Sequence, residues 1–387
     1  MIVIGVTGTS GKTTVSSMIY HVLKSAGKKV SAITTVSAVI NGVNFDTGFH
    51  VTSPTPFTLQ KYLYQAYKGG CKYFVLEVTS HALDQHRILG TNVKVAVITN
   101  ISHEHLDYHK TLEKYRDAKA EILKGAQYAV LNADDTSFDF LRNKTTGKII
   151  SYGVDKKADI NLNNFPVKSK FIGKFQQYNF LAAAGVASLL KIDKKNIISA
   201  IKSYPGIKGR WEELAIHKPF RVIIDFAHKP NALEEVLKAV RSITRRKLIV
   251  IFGCAGLRDK LKRPMMGKIA AALSDYVILT AEDPRTEDVR DIINQIAQGC
   301  SSGLITEADK KNKNLKFLEN NEKKYYWKIP DRQEAINFSV RRLARKGDVI
   351  LLCGKGHEKS MCYGKIEYPW DEIKAVEKAT NGTVSST

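Results

Sequence analysis

One stretch constrains this chain more than any other: Val6-Thr-Gly-Thr-Ser-Gly-Lys-Thr-Thr14. An apolar run, Met1-Ile-Val-Ile-Gly-Val6, precedes it and reads as a buried strand. Val15, Met18, Ile19 and Val22 follow at the spacing of one helix face, over Val15 to Lys24. Strand, glycine loop and helix, in that order, is a setting in which backbone N–H groups and a helix N-terminus converge on an anion. Gly8 and Gly11 let the backbone approach closely, Lys12 has the reach for β- and γ-phosphates, and the Thr13 hydroxyl can hold Mg²⁺. Gly8, Thr9, Ser10, Gly11, Lys12, Thr13 and Thr14 are therefore the candidate phosphate-binding residues. The common motif has a glycine where Val6 stands, and Gly5 is one place too early, so the match is to a shorter form, Thr-Gly-x-x-Gly-Lys-Thr-Thr. The competing reading is a plain glycine-rich turn between strand and helix.

The chain's 387 residues suggest about two or three domains. No apolar run reaches the roughly 18 residues a membrane span needs, and the chain opens directly on a strand with no basic-apolar leader, so a cytoplasmic protein is expected. Five cysteines, none in a Cys-x-x-Cys pair, read as reduced thiols rather than a disulfide frame or zinc site. The net charge of +22 admits nucleic acid, a membrane surface or a polyanionic substrate. Its lysines are scattered, without an aromatic-interleaved basic stripe, so it reads mainly as a solvated surface that helps anionic substrates, with no nucleic-acid or membrane partner.

Further along, residues 28–50 read as two strands, with Asn41-Gly42 a hairpin signal. Tyr73-Phe-Val-Leu-Glu-Val78 is a core strand whose Glu77 is placed either to hold Mg²⁺ or to lie at the surface. After the strand Val93–Ile98, Thr99-Asn-Ile-Ser-His-Glu-His-Leu-Asp-Tyr-His109 carries a histidine-acid cluster that could serve a metal or a base. In the helix expected over 111–125, Lys119 sits in the apolar stripe of Leu112, Tyr115 and Ile122, where it either snorkels to water or turns toward the nucleotide. Residues 148–172 read as a meander of short strands, and Tyr204–Gly209 as a hinge dividing the chain into 1–207 and 208–387. Beyond it, strands at 221–228, 247–252, 276–279 and 348–352 alternate with helices at 231–242, 264–273, 288–299 and 331–345. That alternation implies an α/β domain with a parallel sheet and functional loops after its strands.

Taken together the motifs resemble the Mur ligase family, and most closely its UDP-N-acetylmuramoyl-tripeptide synthetase branch. They are the phosphate loop, Glu77-Val-Thr-Ser-His-Ala-Leu-Asp-Gln-His-Arg87, Thr99 to His109, Ala118-Lys119, Gly209-Arg210 and Asp225-Phe-Ala-His-Lys-Pro-Asn-Ala-Leu233, then Gly253 to Lys260, Lys262-Arg-Pro264, Asp283-Pro-Arg-Thr-Glu-Asp288 and Gly354-Lys-Gly-His-Glu358. The resemblance implies a P-loop ATPase domain with a central, mostly parallel sheet over 1–207 and a Rossmann-like domain over 208–387. It implies an ATP-dependent ligase that joins an amino acid to a peptide carboxylate through an acyl phosphate. Lys12 and Thr13 would cradle the γ-phosphate and one Mg²⁺, with Glu77 sharing the metal. His105 and a carbamylated Lys119 would place a second Mg²⁺. Asn100 would contact adenine. Arg210, Asp225 and His228 would reach ATP from the second domain. Thr52, Ser53, Ser80 and Arg87 would grip a nucleotide-sugar peptide, and Asp283, Arg285, Gly354 and Glu358 the incoming amino acid.

Three departures matter. The family's uridine-binding amino-terminal domain has no counterpart here, which implies an acceptor without a UDP anchor or a separate chain supplying that domain; a monomer is otherwise expected. The family's usual Asn before Pro-Arg is Asp283, which leaves open diaminopimelate, whose two charged ends suit Arg285 and Glu358, or a simpler diamine such as lysine. Asp-Phe-Ala-His replaces Asp-Tyr-Ala-His, losing one hydroxyl. A poly-amino-acid or other wall-polymer ligase, and a partner-dependent nucleotide-binding subunit, are the alternative functions.

Overall fold

The computed structural model describes residues 1–45, 54–102, 106–166, 169–301, 305–309, 323–381 and 385–386. Thr52, Ser53 and His105 lie outside them. Two compact units, Met1–Pro205 and Gly206–Thr387, meet within the turn-rich segment that begins at Tyr204.

The first unit holds strands β1 (Ile2–Thr7), β2 (Val30–Ile33), β3 (Ala38–Ile40), β4 (Val43–Phe45), β5 (Tyr73–Glu77), β6 (Val93–Ile98), β7 (Tyr128–Asn132) and β8 (Lys148–Tyr152). They form one sheet in the order β4-β3-β2-β5-β1-β6-β7-β8, parallel from β2 through β8. The inner strands are near-continuous Val, Ile, Leu and Ala because helices cover both faces, leaving no solvent side to demand alternation. β1 lies between β5 and β6, with Ile4 registered against Val75 and Val95. Asn41 at φ 52° and Gly42 at φ 83° turn β3 into β4, the double left-handed turn that an Asn-Gly pair favours. Residues 28–45 thus hold three strands where two were expected, because Thr34 to Ser37 reverse the chain once more. The expected meander over 148–172 is corrected: β8 joins parallel to β7, and beyond it the described residues add only a bridge between Tyr152 and Ile160. The helix expected over 111–125 runs from Leu112 to Ala120, with a 3₁₀ turn to Leu123. Leu112 lies outside the buried stripe, at 40% exposure.

The second unit holds β9 (Glu212–Ala215), β10 (Arg221–Asp225), β11 (Leu248–Phe252), β12 (Tyr276–Leu279), β13 (Thr306–Glu307), β14 (Tyr325–Lys328), β15 (Val349–Cys353), the hairpin β16 (Ser360–Tyr363) and β17 (Ile366–Pro369), and β18 (Ser385–Ser386). The order β13-β14-β12-β11-β15-β10-β9-β18 is parallel from β13 to β10, with β9 and β18 antiparallel at one edge. The helix expected over 331–345 ends at Phe338 and continues as a π-helical turn, Ser339–Leu343. All five cysteines are buried free thiols. No helix among the described residues is long and apolar enough to cross a membrane.

Under this sheet Arg332 and Glu372 form an ion pair with side chains 0% and 1% exposed. The guanidinium also donates to the carbonyls of Ala281, at 3.1 Å, just beyond the end of β12, and Cys353, at 2.8 Å, the last residue of β15. A buried charge without its partner is far costlier than the pair. Glu372→Ala should therefore destabilise the full chain by about 3–5 kcal/mol, seen as a lower denaturation midpoint; a loss below about 1 kcal/mol would show that Arg332 does not depend on this carboxylate.

Candidate functional site

The loop after β1 is built by its two glycines. Gly8 has φ 145° and packs on β6's end, where a Cβ would stand 1.8 Å from Thr99 Oγ1. Gly11 has φ 82°, and its Cβ would stand 2.5 Å from Asn179 Oδ1. Gly11 caps the helix Lys12–Ser25 without a side-chain hydrogen bond, so the first-turn N–H groups are left for an anion, in keeping with a phosphate site.

Residues from the far side of β6 hold that loop. Asn100 accepts from Thr9 N through its carbonyl at 2.8 Å and from Ser10 N through Oδ1 at 3.0 Å, and its Nδ2 donates to Ser10 O at 3.0 Å. The structure thus gives Asn100 the work of fixing the loop. Thr99 Oγ1 donates to Ser10 O at 2.6 Å, and Thr9 Oγ1 lies 3.2 Å from Tyr115 OH. Lys12 Nζ folds over the loop, donating to Gly8 O at 3.0 Å and Thr9 O at 3.1 Å.

Lys119 does not snorkel. It is 1% exposed, its Nζ donates to Gly8 O at 2.8 Å, and it lies 4.5 Å from the Tyr115 ring centre. Glu77 is also 1% exposed, which removes the surface reading. Its Oε1 accepts from Thr13 Oγ1 and from Thr35 Oγ1, both at 2.9 Å, and its Oε2 from Thr35 N at 2.7 Å. A hydroxyl and a carboxylate beside a phosphate loop are the hard oxygen donors Mg²⁺ prefers, with water and phosphate completing its shell. The donor set therefore fits Mg²⁺. Ser80 is buried, its Oγ 3.1 Å from His109 Nε2, and Arg87 donates to Gln85 Oε1 at 2.9 Å.

In the second unit the ends of β10, β12 and β15 carry the expected residues in two groups. At β10, Asp225 accepts from Trp211 N and Ala227 N, both at 2.8 Å. Burial pushes its carboxyl above the ordinary value, and Arg210 opposes the rise. Arg210 lies over the Phe226 ring at 4.3 Å, and His228 and His357 pack against the same ring. Burial, with Lys229 and Lys262, holds His228 well below the usual histidine value. Its Nδ1 lies 2.9 Å from Phe226 O, which can only accept, so Nδ1 carries the proton and Nε2 is the open acceptor.

At β12 and β15 the second group gathers. Asp283 is buried, and its Oδ1 accepts from Lys355 Nζ at 2.8 Å and Cys362 N at 3.0 Å. Lys355 also pairs with Glu358 at 2.6 Å. Gly354, at φ 106°, lies against Glu282. Arg285 takes φ 52° and donates from Nη1 to Gly256 O at 2.6 Å, not to Glu282 or Asp288. Thr35, Tyr115, Glu282 and Lys355 are members of these sites that pattern reading passed over. Lys355 and Glu282 were within reach, standing inside and beside the motifs that were singled out; Thr35 offers no signal.

Residues 6–187 match the family described as Mur ligase middle domain, and residues 209–356 that described as Mur ligase, glutamate ligase domain. The chain belongs to the Mur ligase family. It is an ATP-dependent, ADP-forming ligase. The UDP-N-acetylmuramoyl-L-alanyl-D-glutamate–2,6-diaminopimelate ligase of Bacillus licheniformis is 34% identical over 403 residues, covering 97% of this chain and 78% of the relative. A solved structure of a ligase with that name superposes with TM-score 0.63 at 29% identity, covering 98% of this chain and 78% of the other. A pseudomurein peptide ligase type C from Methanothermus fervidus shares the fold, with TM-score 0.66 at 22% identity, covering 91% and 76%.

In this Mur ligase Glu282 is a buried carboxyl with an unanswered need. Its Oε2 has no hydrogen-bond partner, and burial pushes its carboxyl from 4.5 up to about 7 despite Lys262 and Lys355. The folded state therefore keeps a proton that the unfolded state releases, so stability falls as pH rises from 4.5 to about 7 and the penalty is complete above that. Glu282→Gln should remove a penalty of about 3 kcal/mol at most. The expected result is a higher Tm than wild type at alkaline pH and little difference in acid; equal shifts at both would show that Glu282 does not titrate in this way.

Proposed function

We propose that this Mur ligase adds a diamino acid to the peptide carboxylate of a cell-wall precursor in the cytoplasm, consuming ATP. The observation that carries the proposal is the bond from Thr13 Oγ1 to the buried Glu77 carboxylate, beside Lys12 and beneath a loop held by Lys119. It is the arrangement that phosphoryl transfer to a carboxylate needs: fixed positive charge, a site for Mg²⁺, and a backbone that does not reorganise. The first unit would bind the nucleotide, and Arg210, Asp225 and His228 of the second would act on it while the second unit binds the amino acid.

The chemistry is two displacements. A carboxylate oxygen of the acceptor attacks the γ-phosphorus and ADP leaves. The amine nitrogen then attacks the acyl carbon, phosphate departs with the former carboxylate oxygen, and the amine loses a proton. Lys12 would neutralise the transferring phosphoryl group. Thr13 and Glu77 would hold Mg²⁺, which supplies charge neutralisation, and His105 with a carbamate formed on Lys119 would hold a second ion. Ser80, Arg87, Thr52 and Ser53 would bind the acceptor. Whether that acceptor is UDP-linked is tested by product mass spectrometry over a panel of peptide donors. Lys12→Ala should lower acceptor-dependent phosphate release by about 10²–10³-fold. Near-wild-type release would remove the phosphate-loop assignment.

For the amino acid, diaminopimelate is favoured. The relatives at 34% identity carry it in their names, and Asp283 spends its charge on Lys355 rather than offering it to a lysine substrate. Arg285 would bind a carboxylate and Glu358 an ammonium. Competition among diaminopimelate, lysine, ornithine and glutamate should select diaminopimelate, and Arg285→Ala should collapse the preference. Selection of lysine, unchanged by that substitution, would overturn this choice.

A further inference from the structure

The loops assigned to the amino acid are joined by one buried cation. Lys355 follows Gly354 at the end of β15, and its side chain is 0% exposed. Its ammonium reaches two carboxylates on two different segments: Asp283 in the loop after β12, at 2.8 Å, and Glu358 three residues onward across a tight turn, at 2.6 Å. Burial alone would lower the lysine's pKa, but Glu358 and Asp283 outweigh it and raise it above the ordinary value, so the group stays an ammonium at neutral pH.

The connection extends to Arg285. The oxygen of Asp283 that meets Lys355 also accepts from Cys362 N in the hairpin β16–β17. Cys362 O accepts from Arg285 N at 3.0 Å, and Gly364 N donates to Arg285 O at 2.7 Å. Arg285 is held in the left-handed region, at φ 52°, a conformation that costs a non-glycine residue free energy and persists only where its surroundings impose it. One chain of contacts therefore runs Glu358, Lys355, Asp283, Cys362, Arg285. The two residues proposed to meet the ends of the amino acid stand at its two ends.

We infer that Lys355 is the positioning residue of the amino-acid site, setting the spacing between the Glu358 carboxylate and the Arg285 guanidinium and offsetting the charge of Asp283. This rests on the assignment of Arg285 and Glu358 to the amino acid. A lysine serving stability alone would, when removed, lower the Tm and leave substrate discrimination intact. A positioning lysine changes the amino-acid KM selectively, and the change is reversed by restoring charge balance.

The test compares wild type, Lys355→Met, Asp283→Asn and the double variant Lys355→Met/Asp283→Asn, with Arg285→Ala and Glu358→Gln as markers of the site itself. Steady-state phosphate release gives KM for diaminopimelate and for ATP, and thermal unfolding checks that each chain is folded. Lys355→Met should raise the diaminopimelate KM about tenfold or more while the ATP KM moves less than about twofold. Adding Asp283→Asn, which removes the carboxylate left unpaired, should recover the KM to within about threefold of wild type. If the single variant does not fold, the charge-balanced double variant carries the test, its near-wild-type KM supporting the inference and a tenfold rise overturning it. A folded Lys355→Met chain with unchanged diaminopimelate KM, alongside a raised KM in Arg285→Ala, overturns the role of Lys355 and leaves the site standing. Equal rises in both KM values, or no recovery in the double variant, also overturn it. If Arg285→Ala and Glu358→Gln leave the diaminopimelate KM unchanged as well, the site assignment falls and this inference with it.

Discussion

A carboxylate shut away from water at the end of β5 sets the terms for the first unit. Glu77 is tolerable there because three donors meet it: the Thr13 hydroxyl from the start of the first helix, and the hydroxyl and N–H of Thr35 from the turn between β2 and β3. Removing water from an anion is costly unless hydrogen bonds replace it. Those bonds also tie three segments into one geometry. The phosphate loop, the β2–β3 turn and the sheet's central strands are held together by the same group that is proposed to share the metal.

The second unit solves a related problem with more charge. Around Lys355 the acids Glu282, Asp283 and Glu358 outnumber the lysine, and deeper in, Arg332 meets Glu372 and two carbonyls. The Arg332 pair is complete. The Lys355 group is not, since Glu282 keeps an oxygen without a partner. Fully satisfied buried ions fix a fold; incompletely satisfied ones mark places where a ligand or a proton has work to do.

Much of this was legible in the residues. Val93-Lys-Val-Ala-Val-Ile98 and Leu248-Ile-Val-Ile-Phe252 are apolar runs that only a buried parallel strand explains, and Asn41-Gly42 names its own turn. The glycine loop between β1 and the first helix was readable because the positive φ of Gly8 and Gly11 answers to backbone geometry. Other parts had no local signature. β9 is Glu-Glu-Leu-Ala, a strand only because β10 offers an edge. The hairpin β16–β17 carries mixed, largely exposed residues and owes its place to contacts with Asp283 and Arg285. Lys119 was ambiguous in pattern because helical spacing shows which face a residue occupies, not whether that face meets water or a loop 111 positions away. Asn100 holds Ser10 through both ends of its amide, a contact that no local spacing could reveal.

The partners of the phosphate loop lie far along the chain. Ser10 is fixed by Asn100, 90 positions later, Thr9 by Tyr115, 106 positions later, and Gly8 by Lys119 at 111. Closing such long loops is entropically slow, and no local propensity completes this one. During synthesis the glycine loop precedes β6 and the helix bearing Lys119, and the contacts that shape it can form only after both have been made. Nucleotide affinity in this protein is thus a late-acquired property of the growing chain. A nucleotide bound at this loop would report that β6 and the helix bearing Lys119 have docked, and by binding only that state it would draw the chain toward it.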